Sequence, residues 1–363
     1  MQQLFFNILS KLGIPEIAGQ VIWPLIPFIG VAVLMVFVVI FLVLMERKVL
    51  AFLTIRKGPN RVGPYGMLQT FADAIKLLFK EDIMSKDANK VLFTLGPVIF
   101  FVPVMVIYGF MPFTQSLVAV NIAAGLLAVF AISSVGTLGI VISGWASNNK
   151  YSLLGGMRSA AQAISYEIPL VVSVLGITVM SGTLNLQQIV QNQSGGLFNW
   201  NMWVSAIGFA VFFICSIAEI NRVPFDLPEA ESELVSGYNT EYSGMKFALF
   251  FLAEYAALFI ISVLIATLFL GGYLSPFNDY LSVILLGHFI KNPVVINIFT
   301  HLEQGFWLIM KTYAIIFIIM WIRATLPRLR ADQLMAFSWK FLLPLSLVNL
   351  FIVAVYRYIF PVG

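Results

Sequence analysis

One cysteine, Cys215, and two histidines, His288 and His301, are the only thiol and imidazole groups among 363 residues. An iron–sulfur cluster takes about four thiolates, and a bis-His haem takes two imidazoles facing each other inside a bundle. This chain can supply neither set. Both histidines fall in one expected surface loop, 272–303, and read as solvated side chains rather than metal ligands. GxGxxG, Walker and HExxH motifs are also missing, which argues against a bound nucleotide or a catalytic zinc. Charge is scarce too: Asp, Glu, Lys and Arg together make 10% of the chain. They are absent altogether from residues 91–149 and 168–218. No repeated pattern relates the two halves, as one does in many secondary transporters.

What fills the sequence instead is apolar. It is 60% hydrophobic and 14% aromatic, with a mean hydropathy of +0.95, the composition of a polytopic membrane protein. A spanning helix needs about 20 apolar residues, so each charge-free block holds two helices and a turn. The turns are expected near 111–116 and 182–201. Single spans near 22–45, 247–271, 304–323 and 338–360 bring the expected total to eight. The expected fold is therefore all-α, one integral membrane domain over 1–363. The N-terminal segment lacks the basic start, apolar core and small-residue cleavage site of a removable signal, so the first span is expected to be retained.

Eight spans divide the loops into two sets, and the basic residues choose between them. Of 21 Lys and Arg residues, 17 fall in or beside one set, nine of them between residues 46 and 90. The positive-inside rule assigns that set to the cytoplasm and both termini to the outer side. The cytoplasmic loops are then about 46–90, 146–160, 219–246 and 324–337. The pI near 9.1 expresses this membrane bias and gives no reason to expect nucleic acid.

Three segments on the basic side carry chemistry. In the first, Glu46, Arg47 and Lys48 precede a turn-rich run, 56–66, whose three glycines and two prolines do not form a helix. Leu68, Phe71, Ala72, Ile75, Leu78 and Phe79 then recur at helical spacing. Over 67–81 they predict an amphipathic helix lying flat at the interface, with Asp73, Lys76 and Lys80 on it. Basic anchoring to anionic lipid accounts for the lysines, but not for Asp73 or the glycine and proline pattern. The second segment, 151–167, carries the small residues Ser159, Ala160 and Ala163, which permit close helix approach. A helix starting near Ser159 would place Glu167 roughly 12 Å along it, below the membrane surface, where acids line polar cavities or proton paths.

The third is the most acidic. Between Glu219 and Glu254 lie seven of the chain's 17 acids. Glu229, Glu231 and Glu233 are spaced by two, which does not stack them on one helix face and reads as a loop or fraying turn. Crowding of this kind raises some carboxyl pKa values. A solvated loop is the ordinary explanation of such a run, but Glu254 lies inside an expected span and cannot be solvated by bulk water. Lys311, within the seventh span, and Arg323, at its end, supply positive charge expected to offset the acids.

These segments resemble a known family. ERK at 46–48, GPNRVGPYG at 58–66, SYE at 165–167, AEINRVPFDLPEAESELVSGYNTEYSG at 218–244 and WIRATLPRLRADQLM at 321–335 are similar to the H subunit of bacterial NADH:quinone oxidoreductase, the counterpart of mitochondrial complex I subunit 1. The resemblance covers nearly the whole chain. It departs at the outer loop 273–303, which is longer than usual and whose 281–290 segment could form an extra surface helix.

The resemblance implies a bacterial inner-membrane subunit forming the membrane side of a quinone chamber, with ubiquinone or menaquinone as substrate. Electrons would come from FMN and iron–sulfur clusters on partner subunits of the peripheral arm; this chain would bind no cofactor itself. Its other partners would be small and antiporter-like membrane subunits and lipid. Residues matching the chamber are Arg47, Arg56, Gly58, Pro59, Arg61, Phe225, Asp226 and Arg323. Those matching the acidic proton-coupling track are Glu46, Asp73, Glu167, Glu219, Asp226, Glu229, Glu231, Glu233, Glu241 and Glu254, with Arg222 and Lys311 as charge partners. No general acid is assigned to this chain. Two other readings stay open on sequence alone: the equivalent anchor of a related hydrogenase or ferredoxin- or F420H2-linked complex, and a stand-alone ion or proton antiporter.

Overall fold

The computed structural model describes residues 16–227, 235–277, 280 and 293–360, with side chains from 28 and from 295 in the outer two stretches. All regular structure among them is helical. Helix α1 spans Glu16–Leu53, α2 Gln69–Phe79, α3 Lys90–Tyr108, α4 Gly125–Ala146 and α5 Lys150–Ser181. Helix α6 spans Leu186–Gln191, α7 Ala206–Glu219, α8 Gly244–Phe269, α9 Pro293–Thr325 and α10 Ala331–Phe337; a π turn at Ser338–Leu342 leads from α10 into α11, Leu343–Ile359.

Seven of the described helical stretches are long and apolar enough to cross a membrane. The eighth expected span is represented by α7, only 14 residues long, or about 21 Å at 1.5 Å per residue against a hydrocarbon core of about 30 Å. A separate helical turn at Asn201–Val204 precedes it, broken from it at Ser205, whose φ is −112° and ψ 49°. The protein is thus a polytopic helical membrane protein, as its composition requires.

Helix α8 is the centre. In its most apolar stretch 67% of residues are buried inside the chain, against 28% for α1 and 22% for the span formed by α10 and α11. The exposed apolar residues of those outer helices, Phe37, Phe41, Phe351 and Ile352 among them, face outward from the bundle. Lipid is as apolar as leucine, so close backbone contact has to replace the hydrophobic drive between helices. A Cβ on Gly139 would lie 2.6 Å from Phe100 N, and one on Gly144 2.8 Å from Ser152 O, which fixes α4 against α3 and α5.

Two expected boundaries are corrected: α9 already runs from Pro293, so His301 lies within that helix rather than in the 272–303 loop, and the start of α5 moves. Helix α5 starts at Lys150, nine residues before Ser159, because Asn149 caps it by accepting from Tyr151 N at 3.0 Å. Gly155 and Gly156 are packing contacts within a continuous helix rather than loop residues. Glu167 accordingly lies about 25 Å along α5, not 12 Å. The interfacial helix forms as predicted, shortened to α2, with Phe71, Ile75, Leu78 and Phe79 exposed from the protein. The 281–290 segment and His288 lie outside the described residues.

Candidate functional site

The charged residues gather at the basic ends of the helices. Glu46, near the C-terminal end of α1, is 3% exposed. Its carboxylate accepts from Arg222 Nη1 at 3.2 and 3.4 Å and from Arg323 Nη1 on α9. Arg222, 9% exposed, also lies over the ring of Tyr255 on α8, 4.4 Å from its centroid. Buried charges persist only when paired and desolvated together, and here one carboxylate is held between two guanidiniums.

The backbone beside it is held by Gln162 of α5, fully buried. Its Nε2 donates to Ala218 O and Phe225 O, both at 2.7 Å, and to Asn221 Oδ1 at 3.3 Å. Asn221 adopts a φ of 52°, a conformation asparagine tolerates better than most residues. This turns the chain after α7 and presents Arg222 to Glu46. Two residues beyond the cis Val223–Pro224 bond, Asp226 is 9% exposed and accepts from Arg328 Nη2 at 2.9 Å. The Phe225 ring meets Tyr166 edge-on at 5.5 Å. It also lines an apolar hollow of about 530 Å³ with Ile217, Ile322 and Leu326.

The turn-rich segment is anchored to α1 from outside the bundle. Arg47 pairs with Asp73 of α2 at 2.6 Å, Gln69 donates to the same carboxylate at 3.2 Å, and Lys48 Nζ donates to Tyr65 O at 2.7 Å. Gly58 packs on Lys48, where a Cβ would meet its Cα at 3.3 Å. Gly66, with φ +74°, sits 2.2 Å, measured from a would-be Cβ, from Pro59 O. Arg56 and Arg61 are exposed, and Pro59 is half-buried.

Deeper in the bundle, Glu219 at the end of α7 and Glu254 of α8 line one cavity of about 90 Å³. Ser133 and Thr137 of α4, Ser159 of α5 and Asn221 add polar groups to walls that are otherwise apolar. A cavity of this size with several polar partners has room for a few waters. Tyr238 Oη donates to Glu254 Oε1 at 2.8 Å. Glu241, on the surface side, accepts from Asn149 Nδ2 at 2.6 Å. Glu167 is half-buried on α5 and does not line this cavity. Glu229, Glu231 and Glu233 lie outside the described residues.

Lys311 is a correction. Its ammonium donates to Leu270 O, Gly272 O and Leu274 O at 2.7, 2.9 and 2.7 Å and lies 4.3 Å from the Trp200 ring centroid. It is therefore held by the cap carbonyl of α8 and two carbonyls of the turn that follows, near a helix end that attracts a cation, instead of offsetting the acids. Sequence reading also missed Gln162, Tyr255, Tyr238, Asn149 and Arg328. A glutamine in a small-residue helix stripe was the available signal for the first.

The sequence profile of the NADH dehydrogenase family matches residues 26–354. Over 341 residues the chain is 48% identical to the H subunit of NADH-quinone oxidoreductase from Brevibacillus brevis, covering 93% of this chain and 94% of that one. It is also 48% identical over 338 residues to the proteins of the same name from Bacillus thuringiensis and Bacillus cereus, covering 92% of this chain and 95% of theirs. The acids and arginines that the fold draws together thus stand within full-length similarity, and the chain belongs to the NADH dehydrogenase family, that of the H subunit of NADH-quinone oxidoreductase.

Proposed function

We propose that the protein is the membrane subunit that closes the quinone chamber of a proton-translocating NADH:quinone oxidoreductase and begins its acidic coupling track. The observation that carries this reading is the Glu46–Arg222–Arg323 cluster, joined through the Asn221 turn to the cavity shared by Glu219 and Glu254. The basic face is cytoplasmic and both termini lie outside. On this reading the cluster stands where a hydrophilic iron–sulfur arm docks.

Reducing a quinone to quinol takes two electrons and two protons. The electrons come from the partner subunits, whose FMN and iron–sulfur centres do the redox chemistry. This chain supplies the surroundings. Phe225, Arg47 and the turn of Arg56, Gly58, Pro59 and Arg61 form the chamber's membrane side. Arg323 and Asp226 stand near its inner part, where a half-reduced headgroup would carry negative charge. As that charge appears and is neutralised, the balance around Glu46, Asp73, Asp226, Glu229, Glu231 and Glu233 changes. Glu219, Glu254, Glu167 and Glu241 pass the perturbation toward the antiporter-like subunits.

Two measurements test this. The tagged chain extracted in mild detergent should bring with it iron–sulfur signals and inhibitor-sensitive quinone reduction. A chain that emerges without clusters and moves cations in liposomes is a transporter instead. Glu219→Gln should leave assembly intact while lowering quinone reductase activity or pumping, and wild-type values for both would remove Glu219 from the track.

A further inference from the structure

We propose that Tyr238 is a positioning residue for Glu254, fixing the carboxyl that lines the membrane cavity. The inference rests on the coupling role proposed above and names a residue that sets it.

Tyr238 lies on the short turn Gly237–Asn239 and is fully buried. A phenol removed from solvent needs an acceptor for its O–H, and Tyr238 takes one from inside a spanning helix: Glu254 Oε1, at 2.8 Å. Glu254 lies ten residues into α8, about 15 Å from its start. The bond therefore links a segment at the membrane surface to a carboxyl well inside the bundle.

The turn is closely held. A Cβ on Gly155 would stand 2.7 Å from Gly237 Cα and 2.9 Å from Tyr238 N, so α5 lies against the turn with no side chain between. Ser152 Oγ donates to Tyr238 O at 3.3 Å, and the tyrosine ring meets Phe250 edge-on at 5.4 Å. Three residues further on, Glu241 is held by Asn149. With the ring fixed by α5 and Phe250, its hydroxyl holds Glu254 Oε1 in one direction.

Tyr238→Phe deletes the hydroxyl and keeps the ring. In membranes holding the assembled complex it is expected to lower kcat for quinone reduction about tenfold, the scale of one hydrogen bond to a charged group. The KM for quinone should stay unchanged, because Tyr238 does not touch the chamber, and protons moved per electron should fall. Glu254→Gln should show the same losses, and the double variant little more than either. If Glu254→Gln loses activity while Tyr238→Phe keeps wild-type kcat and pumping, the positioning role is overturned and the cavity reading stands. Wild-type values in both variants would overturn the cavity reading itself. Less assembled complex with unchanged turnover per complex would make Tyr238 a structural residue and also overturn the inference.

Discussion

Arg222 reaches Glu46 across 176 residues of sequence, and the two meet at 3.2 Å with side chains 10% and 4% exposed. A buried pair of this kind adds little over an apolar pair of the same shape. Breaking it is another matter, because a desolvated charge loses a counter-ion at close range. Glu46→Gln leaves Arg222 and Arg323 facing each other and is expected to destabilise by about 3 kcal/mol, seen as a lower thermal midpoint of the assembled complex. Glu46→Gln combined with Arg222→Gln should recover part of that loss. Strictly additive losses in the double variant would show that the two side chains are not coupled.

The pair between Arg47 and Asp73 behaves differently. Its distance is shorter, 2.6 Å, but its side chains are 42% and 35% exposed, and water screens such pairs to about 1 kcal/mol or less. Asp73→Asn should leave thermal stability within about 1 kcal/mol of wild type. On the proposed function it should instead raise the KM for quinone, by loosening α2 from α1 beside the chamber. An unchanged KM would show that the Arg47–Asp73 pair does not shape the chamber.

The bundle was legible because hydropathy dominates it. Charge-free blocks gave paired helices, and the helical spacing of Leu68 through Phe79 gave α2. The start of α5 was misplaced because Gly155 and Gly156 look like a loop in sequence, whereas in space they admit the backbones of Gly237 and Gly144. The candidate site was legible as a set of residue types and not as a set of partners. Lys311 illustrates this. An intramembrane cation suggests an acid, yet the cap of α8 and the turn after it offer three carbonyls, and nothing local in sequence says where α8 will end relative to α9. The joint cavity of Glu219 and Glu254 likewise depends on how α4, α5, α7 and α8 pack around it, which no single segment announces.

Glycine substitutions separate backbone strain from crowding. Gly182 caps α5 at φ +68° with nothing within 4 Å of a would-be Cβ, whereas Gly66, at φ +74°, would drive one to 2.2 Å from Pro59 O. Gly182→Ala should cost only the left-handed penalty, about 1 kcal/mol. Gly66→Ala should add a backbone clash of about 1–3 kcal/mol and disturb the turn at Lys48. Protease sensitivity across 56–66 in membranes is the direct readout. Equal sensitivity in Gly66→Ala and wild type would mean that the turn accommodates the methyl group.

Alkaline pH should destabilise the protein through Tyr242. This residue lies before the start of α8, stacked on Phe93 with ring centroids 4.1 Å apart and donating to Ser143 O at 3.3 Å. Burial pushes its phenol from 10.0 up to about 12. The folded state therefore holds the proton more tightly than the unfolded chain, and the native protein carries more protons between the two values. Its contribution is fully present below about pH 10 and is lost as pH rises toward 12, a change of roughly 3 kcal/mol for a shift of this size. A phenolate there would also face the carbonyl oxygen that now accepts its proton. Tyr273, likewise raised to about 12 by burial, adds the same sign. The thermal midpoint of the complex is thus expected to fall between pH 10 and 12, and Tyr242→Phe should flatten that fall in part. A Tyr242→Phe profile that runs parallel to wild type throughout this window would show that the phenol does not control alkaline stability.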